Sequence, residues 1–295
     1  MLPALFLYAT MVDTVRGYLA ENNFAAAERQ VREYQAHSGV TPELAASVSW
    51  IARGELDARN YPRAEVYAAE TRKLSEALLH KRKLDAEPLL PIALGASIEV
   101  HAQALAAQGG RSEAVGFLRD QVKLFAGTSI VERIRKNLNL LSLEGKPAPE
   151  LDTSDWLGSK PPSLASLRGH PVLLFFWAHW CIDCKGEAPI IANLQRIYGG
   201  KGLVVMGPTK YYGYTADADA APGVEKPYID KIRSQYYALL SKMAVPLSNA
   251  NFEAYGASTV PTIVLVDSAG VVRLYHPGVM PEAELSSRIR AILSK

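Results

Sequence analysis

The sequence predicts a multidomain α + α/β protein, with an all-helical domain over residues 1–145 and an α/β domain over residues 146–295. Three observations carry this prediction. The first half is rich in Ala, Leu, Glu and Arg, which favour helices. In the second half, Val, Ile, Phe and Tyr gather in short runs between Gly and Pro, as is typical of strands joined by turns. The change of composition falls at a Gly- and Pro-containing break, residues 145–149.

Composition and charge exclude several classes of protein. Hydrophobic residues make up 48% of the chain and charged residues 21%, which is ordinary for a globular protein. The net charge is +2, so no strong field attracts nucleic acid or an anionic membrane. No run reaches about 18 uninterrupted apolar residues, so we expect no integral membrane segment. The apolar residues 2–9 are predicted to form the first turns of a helix, with a signal-sequence remnant as the alternative.

The helical half contains a weak internal repeat. Residues 23–28 (NFAAAE) match residues 60–65 (NYPRAE) 37 positions later, and residues 110–114 (GRSEA) form a looser third copy. Such an offset is typical of stacked helix–turn–helix units, and this half loosely resembles a tetratricopeptide array. An irregular helical bundle is the alternative, and either scaffold would be able to dock a partner protein. The helices are predicted at about 11–21, 24–37, 42–58, 62–79, 89–108, 111–126 and 128–142, with Thr41 and Asn60 as candidate caps.

The chain has two cysteines, Cys181 and Cys184. A disulfide that closes so short a loop restricts the unfolded chain little, so the pair is not explained by stability. A structural zinc ion needs four ligands, and two sulfurs supply only half of them, so we expect no metal. Residues 171–177 form an apolar run that predicts a buried strand, and residues 185–198 predict a helix. Cys181 therefore lies at the start of a helix.

That position favours thiol chemistry. Amide groups at a helix N-terminus stabilise a negative charge and thus lower the pKa of a thiol there. A pKa lowered from about 8.5 to about 7 raises the thiolate fraction at neutral pH from ~3% to ~50%. Cys184 lies one turn further and is placed to attack a mixed disulfide at Cys181. The pair is therefore predicted to cycle between dithiol and disulfide.

Longer motifs extend this pattern. The string WAHWCIDC at residues 177–184 lies between the strand and the helix, and CKGEAP follows at 184–189. The lead-in LASLRGHPV covers 164–172, and YG at 255–256 precedes VPT at 260–262, which opens another apolar strand. On these motifs, residues 147–295 resemble a thioredoxin-fold domain, specifically that of the TlpA-like (ResA-like) thiol–disulfide oxidoreductases.

The resemblance implies roles for five residues. Cys181 would be the attacking nucleophile and Cys184 the resolving thiol. Pro261 would follow a cis peptide bond that faces the cysteines, and Val260 would offer its backbone to an extended substrate. Glu187 would tune the thiol pKa and move protons. It would replace the buried Asp that thioredoxin has six residues before its first Cys, a position that is Phe here.

Other side chains near the motif are candidates for substrate contact. Residues 208–227 are predicted to form a long polar loop, and the resemblance implies that it lies on the rim of the active site. A surface loop whose tyrosines pack locally is the alternative. His179 is expected to be a polar loop residue. We expect substrate contacts from four side chains: Trp180, Ile182, Tyr211 and Tyr212.

The function predicted is that of an enzyme that reduces or exchanges disulfides in partner proteins. It would need no cofactor beyond the Cys181–Cys184 disulfide and would rely on a second partner to restore its redox state. One alternative is a helical adaptor with an accessory thioredoxin-fold domain. Another is a thiol peroxidase, although residues 178–181 lack the Thr of a Thr-x-x-Cys motif. The resemblance implies an extracytoplasmic, periplasmic location in a bacterium, with the cytoplasm as the alternative.

Overall fold

The two units of the chain differ in architecture as predicted. The computed structural model describes residues 10–216 and 218–294, so the predicted helical turns at residues 2–9 lie outside the described residues. The division between the units falls between Asn137 and Leu138, inside a helix that continues to Ser142. It lies before the predicted break at 145–146 because the last turn of this helix bonds to the second unit. There, the side-chain amide of Asn139 donates to the carbonyl oxygen of Tyr255 over 2.8 Å.

Every predicted helix of the first half is present, with ends that differ from the prediction by at most three residues. The helices are α1 (Met11–Ala20), α2 (Phe24–Ser38), α3 (Pro42–Asp57), α4 (Tyr61–Leu79), α5 (Leu89–Ala107), α6 (Arg111–Leu124) and α7 (Val131–Ser142).

Caps and small residues explain where these helices begin and how they pack. The hydroxyl of Thr41 accepts from the main-chain N–H of Leu44 over 3.1 Å, whereas Asn60 holds the cap position of α4 without a side-chain bond. The matching alanines of the three repeat copies are fully buried: Ala27, Ala64 and Ala114. The repeat therefore marks packing positions, while the tetratricopeptide-like arrangement stays a prediction.

Helix α5 is the most apolar of the described helices. By length and composition alone it is the one helix in the described ranges that could cross a membrane. More than half of it is buried inside the first unit, where it packs against α3, α4 and α6.

The second unit is built around a four-stranded sheet with the order β3-β2-β7-β8. Strands β2 and β3 are parallel, and the other pairs are antiparallel. Two short pairs, β1–β6 and β4–β5, lie outside this sheet. The elements are β1 (Trp156–Leu157), β2 (Val172–Phe176), α8 (Ile182–Tyr198), β3 (Val204–Met206), β4 (Tyr214–Thr215), β5 (Ala218–Asp219), α9 (Pro222–Tyr236), β6 (Val245–Pro246), α10 (Asn249–Tyr255), β7 (Thr262–Val266), β8 (Val272–Pro277) and α11 (Glu282–Leu293).

Strand β2 is the centre of this unit, and all five of its side chains are buried. Leu173 and Phe175 belong to the core cluster on one face of the sheet, and Leu174 and Phe176 belong to the cluster on the other. A strand covered on both faces needs an unbroken apolar run, which explains why residues 171–177 predicted it correctly.

The segment 208–227 is not the long polar loop that the sequence predicted. It contains the β4–β5 hairpin, and α9 begins within it at Pro222. The helix forms there because proline suits the first turn and because Glu225, Ile229 and Ile232 recur on one buried face. The polar composition of residues 208–227 led to the loop prediction, because it masks the helical spacing of these three residues.

A buried asparagine fastens the segment before β1 to α10. Asn251 donates to the carbonyl oxygen of Asp152 over 2.9 Å and accepts from its N–H over 2.7 Å. Asn251→Ala is expected to lower the free energy of unfolding by about 2–4 kcal/mol, because both bonds are lost where water cannot replace them. Urea unfolding measures the change. Asn249→Ala, at an exposed position of the same helix, is the control and is expected to stay within about 0.5 kcal/mol. Equal effects of the two variants would contradict the prediction.

Candidate active site

The two cysteines lie where the chain passes from β2 to α8. Cys181 holds the cap position of α8 and is bonded to Cys184 in a disulfide with a Cα–Cα distance of 5.3 Å. The main-chain N–H of Cys184 points at the Sγ atom of Cys181 over 3.0 Å. An amide of the helix N-terminus is therefore directed at one sulfur, in agreement with the predicted position of Cys181 at the helix start.

The two sulfurs differ in access. Cys184 is fully buried and Cys181 is 3% exposed, between Trp180 at 46% and Ile182 at 81%. Cys181 is thus the sulfur that an incoming group reaches, at the centre of an apolar patch. Within the described ranges, no cluster of three or more His, Cys, Asp or Glu residues is suited to a metal ion.

The loop that precedes β7, the strand next to β2, faces this disulfide. The peptide bond between Val260 and Pro261 is cis, as the resemblance implied. Pro261 directly precedes β7, whose first residue, Thr262, pairs with Phe176 at the end of β2. The pairing brings the loop alongside Cys181, and the carbonyl oxygen of Val260 lies 3.6 Å from the Cys181 Sγ atom.

Glu187 lies one turn after Cys184 and is buried, with 3% exposure. Its carboxyl group accepts the main-chain N–H of Met280 over 3.4 Å. Burial raises the pKa of Glu187, and nearby Asp183 adds to the rise, while the Met280 bond and His276 oppose it. The carboxyl group therefore keeps its proton to a higher pH than an exposed Glu does.

His179, which the sequence predicted as a polar loop residue, is buried instead. Its Nε2 atom lies 3.5 Å from an oxygen of Glu225 in α9. Burial lowers the pKa of His179, although Glu225 opposes this, and the imidazole therefore favours its neutral form. The ring is surrounded edge-on by three aromatic rings at 5.1–5.5 Å, those of Tyr212, Tyr214 and Tyr228.

Glu225 is the functional-site residue that sequence reasoning missed. It is fully buried and accepts the main-chain N–H groups of Tyr212 over 2.6 Å and of Gly213 over 2.9 Å. It therefore fixes the segment before the β4–β5 hairpin beside the Cys motif. The only sequence signal for the burial of Glu225 is its helical spacing with Ile229 and Ile232, because no local pattern links Glu225 to His179.

The structure separates the two tyrosines that were expected to contact substrate. Tyr212 packs edge-on against Trp180 with ring centroids 5.6 Å apart, so it belongs to the rim of the site. Tyr211 is directed elsewhere, and its hydroxyl donates to Asp155 over 2.9 Å. Asp155 also pairs with Lys226. Substrate contact by these side chains stays a prediction.

This arrangement defines a class of protein: a Cys-x-x-Cys pair at a helix N-terminus, between a central strand and a cis-proline loop, is typical of the thioredoxin-like proteins. Comparison with known sequences agrees, because the thioredoxin-like domain family matches residues 162–293. The chain belongs to this family. The fold and the relatives confirm the prediction of a thioredoxin-like oxidoreductase.

The relatives include enzymes of the predicted type. The chain is 30% identical over 146 residues to the thioredoxin-like protein YneN of Bacillus subtilis, covering 50% of this chain and 78% of that protein. It is 31% identical over 159 residues to the thiol:disulfide interchange protein DsbE of Pseudomonas fluorescens biotype C, covering 51% and 78%. It is 26% identical over 148 residues to the thiol-disulfide oxidoreductase ResA of Geobacillus thermodenitrificans, covering 50% and 77%.

Replacing Glu187 is expected to change how stability depends on pH. Its folded pKa lies above the unfolded value, so its favourable contribution is complete below about pH 4.3 and is lost as the pH rises through the folded pKa. Glu187→Gln removes this loss. The unfolding free energy of the variant relative to the unmodified protein is therefore expected to increase from about pH 4.3 upward.

Urea unfolding at a series of pH values measures this difference. Glu284→Gln, at an exposed position of α11, is the control and is expected to show little pH dependence relative to the unmodified protein. A constant difference between Glu187→Gln and the unmodified protein across this range would show that the folded pKa is not raised.

Replacing Glu225 is expected to release the segment at Tyr212 and Gly213. Glu225→Gln places an NH₂ group against a main-chain N–H, so at least one bond is lost, at a cost of about 2 kcal/mol. Hydrogen exchange at the Tyr212 and Gly213 amides is expected to accelerate. Asp219→Asn, an exposed position in the same segment, is the control and is expected to leave both amides unchanged. Unchanged exchange in Glu225→Gln would refute this anchoring role.

Proposed function

We propose that the protein reduces or exchanges disulfides of partner proteins through a dithiol/disulfide cycle of Cys181 and Cys184. The observation that carries the proposal is the position of the Cys181 Sγ atom. It receives the amide of Cys184 at the helix N-terminus, and it lies beside the main chain of Val260. A sulfur so placed is stabilised as a thiolate on one side and adjoins a polypeptide backbone on the other.

The cycle balances as two exchanges. The Cys181 thiolate attacks one sulfur of a substrate disulfide, which forms a mixed disulfide and releases the other substrate sulfur as a thiolate. The Cys184 thiolate then attacks the Cys181 Sγ atom, which closes the disulfide seen in the structure and releases the second substrate sulfur. Two electrons pass to the substrate, and the two released thiolates take up protons.

Access supports this order of events. Cys184 is fully buried and cannot meet a large substrate, whereas Cys181 adjoins the exposed Ile182 and Trp180. The short Cα–Cα distance of 5.3 Å already places the second sulfur within bonding range of the first. Cys181 is therefore proposed as the nucleophile and Cys184 as the resolving thiol.

Glu187 is proposed as the group that handles the proton of Cys184. It lies on the same face of α8 one turn later, and its raised pKa lets it hold a proton nearer to neutral pH. A buried thiol cannot exchange its proton directly with water, so a neighbouring carboxyl group offers the proton a route.

The substrates proposed are proteins. The patch around Cys181 is apolar and exposed, formed by Trp180 and Ile182 with the half-buried Tyr212 and Val260. An extended chain that runs past Val260 would place its own disulfide at Cys181, with neighbouring apolar side chains on this patch.

The remaining parts of the cycle are proposals of the same kind. The oxidised pair needs a dithiol partner to reduce it, and we propose no cofactor other than the disulfide itself. The helical unit is proposed to dock a partner protein. An extracytoplasmic location, in the bacterial periplasm, suits this chemistry because protein disulfides form and persist there.

Insulin reduction with dithiothreitol tests the proposal. The unmodified protein is expected to accelerate precipitation of the insulin chains, and Cys181→Ser is expected to reduce the rate to that of dithiothreitol alone. Cys184→Ser is expected to accumulate a mixed disulfide with substrate, because the resolving thiol is missing. The double Cys→Ser variant is the control and traps nothing.

Three outcomes would overturn the proposal. An inactive unmodified protein would favour the helical adaptor. Full activity in Cys181→Ser would place the chemistry elsewhere. Consumption of peroxide without insulin reduction would favour the thiol peroxidase.

A further inference from the structure

The helical unit contains a cavity of about 520 Å³ whose wall is part apolar and part cationic. Leu19 and Phe24, both half-buried, contribute apolar surface. Three arginines from three different helices also line it: Arg16 of α1, Arg53 of α3 and Arg133 of α7. None of these residues belongs to the thiol–disulfide site.

Two of the arginines share one aromatic ring. The guanidinium groups of Arg16 and Arg53 lie over the Trp50 ring, 4.6 Å and 4.4 Å from its centroid. Stacking occupies the flat face of a guanidinium group, whereas its N–H donors lie in the plane. The ring therefore positions both cations in the cavity wall.

The buried carboxyl group in the wall is already engaged. Glu99 receives Arg133 over 2.6 Å and Lys136 over 2.9 Å. Burial alone would raise its pKa, but Arg133 and Lys136 together lower it to about 2. Both oxygens of Glu99 are thus bound by other cations, and its charge acts on Arg53 without a direct bond.

Arg53 forms no direct ion pair among the described residues, although the charges of Glu99 and Asp57 oppose the lowering of its pKa. Its Nε atom is buried and has no acceptor there. Its Nη2 atom reaches the carbonyl oxygen of Ile92 over 3.4 Å, an acceptor that Arg133 also uses over 3.3 Å. Burial, with a contribution from Arg133, lowers the pKa of Arg53 to about 10. A ligand that brings a negative charge would relieve this burial cost.

The charge of the wall indicates how large that negative charge is. Arg16, Arg53 and Arg133 face Glu99 and Asp57, which leaves one net positive charge. A single carboxylate balances the charge of these lining side chains, and the apolar surface of Leu19 and Phe24 favours a ligand with an apolar body over inorganic phosphate. A carboxyl oxygen of Asp13 lies 3.9 Å from Arg16 on the exposed surface. Because this ion pair is exposed, it competes only weakly with a ligand for Arg16.

We propose that this cavity binds a monocarboxylate with an apolar body, its carboxylate received by Arg53 and Arg16 over Trp50. The apolar body lies against Leu19 and Phe24. A polypeptide C-terminus and a small organic acid share this chemistry. The site gives the helical unit a ligand-binding function of its own.

Calorimetric titration of the full-length protein with N-acetyl-L-phenylalanine tests the proposal. The acid is expected to bind with one-to-one stoichiometry, and its neutral amide, N-acetyl-L-phenylalaninamide, is expected to bind about tenfold more weakly or not at all. Inorganic phosphate is expected to bind more weakly than the acid. An amide or phosphate that binds as well as the acid would overturn the proposed ligand class.

Variants locate the site. Arg53→Gln is expected to weaken binding of the acid by about tenfold or more. Arg16→Gln, a change at an exposed side chain that keeps the core intact, is expected to weaken it by a smaller factor. Arg119→Gln removes the same charge from an exposed position of α6 and is expected to leave affinity unchanged. An affinity that is unchanged in both cavity variants, or that falls equally in Arg119→Gln, would refute the site.

A final comparison identifies the source of the carboxylate. Tighter binding of the tripeptide Ala-Leu-Phe than of 3-phenylpropionate supports a polypeptide C-terminus as the ligand. Equal binding of the two supports a small organic acid. The proposal fails if neither compound binds.

Discussion

The bond from the Cys184 amide to the Cys181 sulfur is the interaction on which the thiol–disulfide site depends. It exists because Cys181 occupies the cap position of α8, where helix amides have no partner within the helix. The same position places Cys184 one turn later, on the buried face of α8. A single register of strand and helix therefore directs an amide at one sulfur, buries the other and sets them at bonding distance.

The core of the second unit holds that register in place. Strand β2 is covered on both faces, so a shift of one residue would move Phe175 and Phe176 into the wrong layers. Its end is also fastened, since Trp177 donates to the carbonyl oxygen of Gly207 over 2.9 Å and Thr209 donates to that of Trp177 over 2.8 Å. The loop at Pro261 follows from the pairing of β7 with β2. The geometry at the sulfur is thus a consequence of strand packing.

The sequence could predict what local patterns encode. Residues 171–177 encode a buried strand, the alanines of the repeat encode helix packing, and the Cys motif encodes a helix start. The burial of His179 could not be predicted, because its partner Glu225 is 46 positions away and lies in a segment whose polar composition indicated a loop. The direction of the Tyr211 side chain depends in the same way on Asp155, which precedes it by 56 positions and accepts its hydroxyl hydrogen bond. Polar pairs made by tertiary packing have no periodicity to reveal them.

Burial shifts the pKa values of two ionisable groups near the disulfide. It raises the pKa of Glu187 and lowers that of His179, so each group shifts toward its neutral form. Asp183 stays exposed at the first turn of α8, where water and salt screen its charge. Among these groups, the helix amide is the one directed at the Cys181 sulfur, at 3.0 Å. A fixed dipole in a weakly screened setting acts more strongly than a distant charge in water. At the Cys181 sulfur, the backbone of α8 therefore acts at the shortest range, while burial shifts Glu187 and His179 toward their neutral forms.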